Sequence, residues 1–284
     1  MHPDRALLRR HVLPSAIAAA FALPIALLVL GSLRAAGAPP PAGLELVPRG
    51  ASLDAYGRLA DLLPLGTYLR NSVVVVVLAV PLTVVVAALA GFGIRLLEGR
   101  AKVVAVAASV VVMLVPTSAL WATRFEVYAS AGLIGSLLPL VAPALMGTTP
   151  LLVLIYAWAF GAVDDAQLHA ARLEGASTLA TWSRIALPQV RTATLAVSVL
   201  AFTAHWGNFI DALLYIRGQE NFTLPLGLNT LKVLRPTEFP LLLAGAVVFT
   251  LPSIGVFLAA HRIFTDDPAA ALRGRTSTTS VRTP

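Results

Sequence analysis

No cysteine occurs in the 284 residues, so disulfides, thiolate nucleophiles and thiol-ligated metals play no part in this chemistry. Charge is scarce too: Asp, Glu, Lys and Arg make up 12% of the chain, against about 25% in soluble domains. There is no glycine-rich phosphate loop of the Walker type, no cluster with metal-ligand spacing, and no set of nucleophile, base and orienting group. The five His residues are scattered, and His205 reads as a hydrogen-bonding group rather than a metal ligand. The chain is therefore not expected to be an enzyme, and any ATP hydrolysis it depends on has to come from another chain.

What is abundant is apolar surface. Hydrophobic residues reach 57% and mean hydropathy is +0.82, values that belong to polytopic membrane proteins. A net charge of +7 would suggest nucleic acid in a soluble protein. Here basic loops facing an anionic leaflet explain it, and no nucleic-acid partner is expected.

Six apolar runs are long enough to span a bilayer: 13–33, 73–94, 103–122, 138–159, 193–216 and 239–260. A short basic N-terminus (1–12) precedes the first, and five further runs favour a retained helix over a cleaved leader. The fold class expected is all-α, a polytopic membrane protein with six transmembrane helices over 13–265. A tail at 266–284 without apolar period reads as disordered. Residues 34–68 and 124–137 read as external connectors, and Pro116 should bend the third span. Pro139, Pro143, Gly147 and Pro150 make the fourth irregular, tolerable only inside a bundle. Of the 21 Lys and Arg residues, thirteen fall on the side of the termini, the 95–102 turn and the 161–191 loop, and eight on the other. That bias puts both termini and that loop in the cytoplasm.

The 161–191 loop is the one long polar interruption in the second half. Asp164 or Asp165 can cap a helix running through Arg172, Gly175 supplies a left-handed C′ position, and Ser177 caps a second helix. Leu179, Trp182, Ile185 and Ala186 give that second helix an apolar face, with Leu187 and Pro188 expected to end it. The result is an amphipathic knuckle too short to span, which offers His169, Arg172, Glu174 and Arg184 on its polar side.

Between His169 and Pro188 the sequence HAARLEGASTLATWSRIALP resembles the cytoplasmic EAA loop of permease subunits in binding-protein-dependent ABC sugar importers, the maltose and glycerol-phosphate class. Ala170, Ala171, Gly175, Ala176, Trp182, Leu187 and Pro188 fit its pattern; His169 stands where the family has Glu, and Glu174 where it has Asp. Weaker matches run from about residue 52 to about 260. They include Asn71 and Ser72 before the second span, Met113 to Pro116, the Gly132 to Gly135 segment, Trp206, Asn208 and Phe209, and a Thr-Leu-Pro-x-Gly turn at Thr223 to Gly227, expected in an external loop.

The resemblance implies a type I ABC-importer permease fold in a bacterial inner membrane. It also implies a homologous permease partner, two ATPase subunits that use ATP and Mg²⁺, and an extracytoplasmic solute-binding protein that delivers a carbohydrate. This chain itself would bind no cofactor. The knuckle would be the coupling helix docked on an ATPase, with His169 either in a rewired pairing or contributing packing.

In the fifth span His205, Asn208, Asp211 and Tyr215 recur at steps of three, three and four, within an arc of roughly 120°. Carboxylate, amide and phenol groups suit sugar hydroxyls, and Trp206 or Phe209 could stack on a pyranose. The same stripe could instead bond a partner permease, and Asp211 could sit in external water. Alternatives to sugar import are a permease for a polyamine or peptide and a self-sufficient secondary transporter, for which inverted repeats would be needed and none is convincing.

Overall fold

The computed structural model describes residues 3–35, 37–39, 50–146 and 149–265, and among them every regular element is helical. In chain order these are α1 (Pro3–Ser32), α2 (Asp54–Leu62), α3 (Leu65–Leu96), α4 (Gly99–Leu114), α5 (Trp121–Ser130), α6 (Leu138–Val141) and α7 (Pro150–Gly161). There follow α8 (Asp165–Leu173), α9 (Thr178–Thr181), α10 (Leu187–Gln189), α11 (Arg191–Trp206), α12 (Ile210–Tyr215), α13 (Leu224–Leu234) and α14 (Phe239–Thr265). The expected disordered tail, Gly147 and most of the Gly/Pro cluster after Gly37 lie outside the described residues.

Three helical stretches, Pro14–Ser32, Leu65–Leu96 and Phe239–Ile263, are long and apolar enough to cross a membrane alone. Up to six crossings result when each bent helix pair is taken as one span. The helix of the second apolar run, α3, starts at Leu65, a full two turns before that run, and Tyr68, Asn71 and Ser72 are buried there rather than solvated. The third run is broken. Val115 before Pro116 is forced into extended geometry (φ −74°, ψ 117°), and the chain turns by 86° into a 3₁₀ turn and α5. Residues 124–130, expected in an external connector, are thus helical.

The residues divide into two compact units. One comprises Met1–Leu69 and Thr223–Pro252. Inside it the Ser32 hydroxyl meets the Tyr56 hydroxyl at 2.7 Å, and Arg58 pairs with Glu238 at 2.8 Å. The Thr-Leu-Pro-x-Gly segment, expected as a turn in an external loop, opens a helix instead: it starts α13, with Leu224 and Leu226 buried. Pro225 suits a first helical turn, where no backbone N–H is needed. Gly227 is required because a Cβ there would collide with the ring of Tyr68.

The other unit comprises Arg70–Phe222 and Ser253–Pro284. Its centre is α3 against α7. One face of α3 buries Asn71, Val75, Ala79, Thr83 and Ala87 at steps of four, while Val73, Val77, Val85 and Leu89 stay exposed. Polarity is therefore inverted relative to a soluble helix: the buried face carries mostly small and polar residues, and the exposed one carries Val and Leu. A Cβ at Gly91 would lie 2.9 Å from Ala157 N and Val153 O, so only glycine lets the two backbones approach. Phe92 and Phe160 meet edge to face at 5.3 Å beside that contact.

Candidate functional site

The knuckle is built by local chemistry. Asp164 caps α8 by accepting from Ala166 N at 2.9 Å. Its other end closes with Ala176 N donating to Ala171 O (2.9 Å) and Gly175 N donating to Arg172 O (3.0 Å), with Gly175 at φ +81°. This is a Schellman closure, and it needs a residue that tolerates a positive φ at Gly175. Ser177 then caps α9 through Ala180 N at 3.2 Å.

Pro188 does not end the second helix. Trp182–Ala186 widens into a π turn, in which Leu187 N donates back to Trp182 O, and the helix runs on to Gln189 before an 88° turn at Val190 into α11. A wider turn leaves room for the proline ring, which would otherwise strike the carbonyl four residues earlier. The Gln189 side-chain amide donates to Ile185 O at 3.0 Å and to the Gln167 side-chain oxygen at 2.9 Å, tying α10 to α8.

The knuckle has two faces. Leu168, Ala171, Trp182 and Ala186 are buried, and all but Ala171 belong to one hydrophobic cluster with Phe92, Tyr156 and Phe160. Outward it presents His169, Ala170, Arg172, Glu174, Gly175 and Pro188, while Ala176 and Leu187 are half-buried. Leu173 is 90% exposed and Leu179 61%, so the outer face carries an uncovered apolar spot. His169 is exposed, and its Nδ1 lies 2.7 Å from Asp165 O. A carbonyl only accepts, so Nδ1 carries the proton, and in the neutral ring Nε2 is left as an acceptor. The side chain thus does not contribute packing within this chain.

Sequence reasoning missed Arg95. From the end of α3 its Nε donates to Phe160 O at 3.1 Å and its Nη2 to Val163 O at 3.4 Å, and the same guanidinium ion-pairs with Asp165. It thereby adds a donor to carbonyls at the end of α7 and just beyond it, and holds the start of α8.

In the fifth run the expected stripe does not form on one helix. Gly207 (φ −85°, ψ 5°) ends α11, and α12 starts anew at Ile210. His205 lies on α11, with Nε2 3.0 Å from the hydroxyl of the fully buried Thr83. Asn208 sits in the break and donates to Asp211 Oδ2 at 3.0 Å. Tyr215 donates to Trp121 O at 3.3 Å and meets Tyr128 edge to face at 5.1 Å. The Trp206 ring is buried and stacked on Phe202 at 5.6 Å, which leaves half-buried Phe209 as the ring with open area.

Tyr215 is thus tied to α5, Asn208 and Asp211 are tied to each other, and His205 is drawn toward α3. A cleft of about 610 Å³ lies between α5 and α12, lined by Trp121, Thr123, Phe125, Glu126, Leu214 and Tyr215. The missed signal is in α5. Arg124 and Tyr128, one turn apart and both buried, form its inner face.

No protein-family model matches this chain. Its sequence is similar to the arabinooligosaccharides transport system permease protein AraQ of Bacillus subtilis, at 27% identity over 250 residues, 86% of this chain and 87% of the relative. It is also similar to the trehalose/maltose transport system permease protein MalG of Thermococcus litoralis, at 26% over 237 residues (82% and 85%). The lactose transport system permease protein LacG of Rhizobium radiobacter matches at 24% over 194 residues (68% and 70%). In fold it matches a chain of a bacterial ABC transporter involved in import of the acidic polysaccharide alginate, with TM-score 0.72 and 18% identity over 93% of this chain and 98% of that one. Along most of its length the sequence is thus similar to permease proteins of sugar transport systems, and its fold is that of a chain of a bacterial ABC transporter.

Proposed function

We propose that this permease is one of two homologous permeases in an ATP-driven importer that carries a carbohydrate across a bacterial inner membrane. Both termini and the knuckle face the cytoplasm. Two partner ATPase subunits use ATP and Mg²⁺, this chain binds no cofactor, and an extracytoplasmic solute-binding protein presents the cargo. Relatives named for arabinooligosaccharides, lactose and trehalose/maltose support the carbohydrate class.

The observation that carries the reading is the two-faced knuckle. Its outer face, with His169, Arg172, Leu173 and Glu174, is open, and its inner face is part of the core through Leu168, Trp182 and Ala186. An ATPase docked outside would move the knuckle as a body, and Arg95 would pass that motion to α3. Repacking of helices around the cargo path then gives alternating access. The His169 Nε2 acceptor can take a hydrogen bond from a donor on the ATPase, the same sense of pairing that the family's Glu would make.

The test is recovery of an ATP-hydrolysing subunit with the tagged, detergent-solubilised protein, comparing wild type with Leu173→Asp. Leu173 is exposed, so the variant should melt as wild type does. A loss of ATPase recovery of at least about tenfold is expected, since burying a carboxylate in an apolar contact is costly. If wild type recovers no ATPase in several mild detergents, the coupling role is wrong.

A further inference from the structure

Beneath α5 lies a second cavity of about 250 Å³, lined by Leu120, Thr123, Arg124, Val127, Tyr128 and Met146. Its walls are mostly apolar, yet one of them is a guanidinium. Arg124 is 8% exposed, and among the described residues no hydrogen bond or ion pair reaches it. Asp211 makes no ion pair with it. That carboxylate is held by the Asn208 amide at 3.0 Å, and the two charges share Tyr128 and Tyr215 as electrostatic neighbours without touching each other. The Tyr128 hydroxyl has only the Met146 thioether, at 3.9 Å, as its partner, a weak acceptor.

A buried cation with no counter-charge in contact is expensive unless something pairs with it. Among the described residues no side chain does, and the chemistry that fits the guanidinium from outside the chain is an anion. A planar guanidinium fork fits a carboxylate through two parallel hydrogen bonds. The cavity holds roughly eight waters' worth of space, enough for one sugar ring.

We propose that this cavity is a subsite of the cargo path for an anionic saccharide, with Arg124 pairing a uronate carboxylate and Tyr128 bonding an adjacent hydroxyl. The inference rests on the carbohydrate reading above and narrows it from sugars in general to acidic ones.

The experiment uses the full chain in phosphatidylcholine nanodiscs and isothermal titration with three probes: a galacturonate disaccharide, its methyl ester, and the neutral galactose disaccharide of the same linkage. Wild type should bind the free acid at least tenfold more tightly than either uncharged probe. Arg124→Gln should erase that preference, and Arg124→Lys should keep part of it. The methyl ester removes the charge from the ligand alone, so the comparison survives even if Arg124→Gln fails to fold.

Equal binding of all three probes would overturn the anion assignment while leaving a sugar permease intact. Binding of none would overturn the subsite, whereas the importer reading answers separately to ATPase recovery. A lipid phosphate offers the same chemistry. Loss of acid binding when phosphatidylglycerol is added to the disc would therefore reassign Arg124 to a headgroup and overturn the proposal.

Discussion

Between α7 and α11 the chain turns polar residues outward and apolar residues inward, whereas on α12 and α5 it buries two charges, Asp211 and Arg124. The knuckle is capped at Asp164, closed at Gly175, recapped at Ser177 and packed through Trp182. The second region has a helix that stops at Gly207, two buried charges in Arg124 and Asp211, and cavities on either side of α5. One region is built to keep its shape while something pushes on it. The other keeps polar groups at lipid depth, where only a ligand, a partner or a repacked state can reward them. Substitutions in the knuckle should therefore change stability first, and those in the second region should change binding while stability barely moves.

The largest effect should come from Trp182→Ala, which empties the middle of the cluster and should cost about 3–5 kcal/mol, read as a lower thermal midpoint of the solubilised protein. Trp182→Phe sharpens the point. The indole N–H has no partner among the described residues, so the ring swap should cost less than about 1.5 kcal/mol.

Arg95→Met should come next. It removes charge-assisted bonds to Phe160 O, Val163 O and Asp165, at about 1.5–3 kcal/mol, and should raise hydrogen exchange at 162–174 while leaving α12 unchanged. Uniform exchange along both segments would mean that Arg95 is not what holds the knuckle.

Smallest is Tyr215→Phe. The hydroxyl makes one long bond to Trp121 O (3.3 Å) and the ring contact with Tyr128 is kept, so the thermal midpoint should move by no more than about 1 kcal/mol's worth. A loss as large as that of Trp182→Ala would erase the distinction between the two regions.

Much of the knuckle was legible because caps are local: Asp164, Gly175 and Ser177 act within three or four residues of themselves. Pro188 misled, since the strain that usually stops a helix was taken up by the π turn at Trp182–Ala186 just before it. The stripe from His205 to Tyr215 misled for a related reason. It assumed an unbroken helix through Gly207 and Asn208, a pair with breaker character of its own. Arg124 was counted among the loop charges, although its spacing from Tyr128 was the available clue.

Composition and length alone determined that the chain lives in a membrane and crosses it with helices, because backbone polar groups in lipid must be satisfied within the segment. Local residues determined the caps of the knuckle. Only the tertiary structure decided which side of each helix is buried, since lipid and protein core are equally apolar and periodicity cannot separate them: on α3 it is the small and polar face that turns inward. It alone decided that Arg95 meets Asp165, 70 positions away, and that Arg124 is buried at the wall of a cavity rather than standing out in a loop.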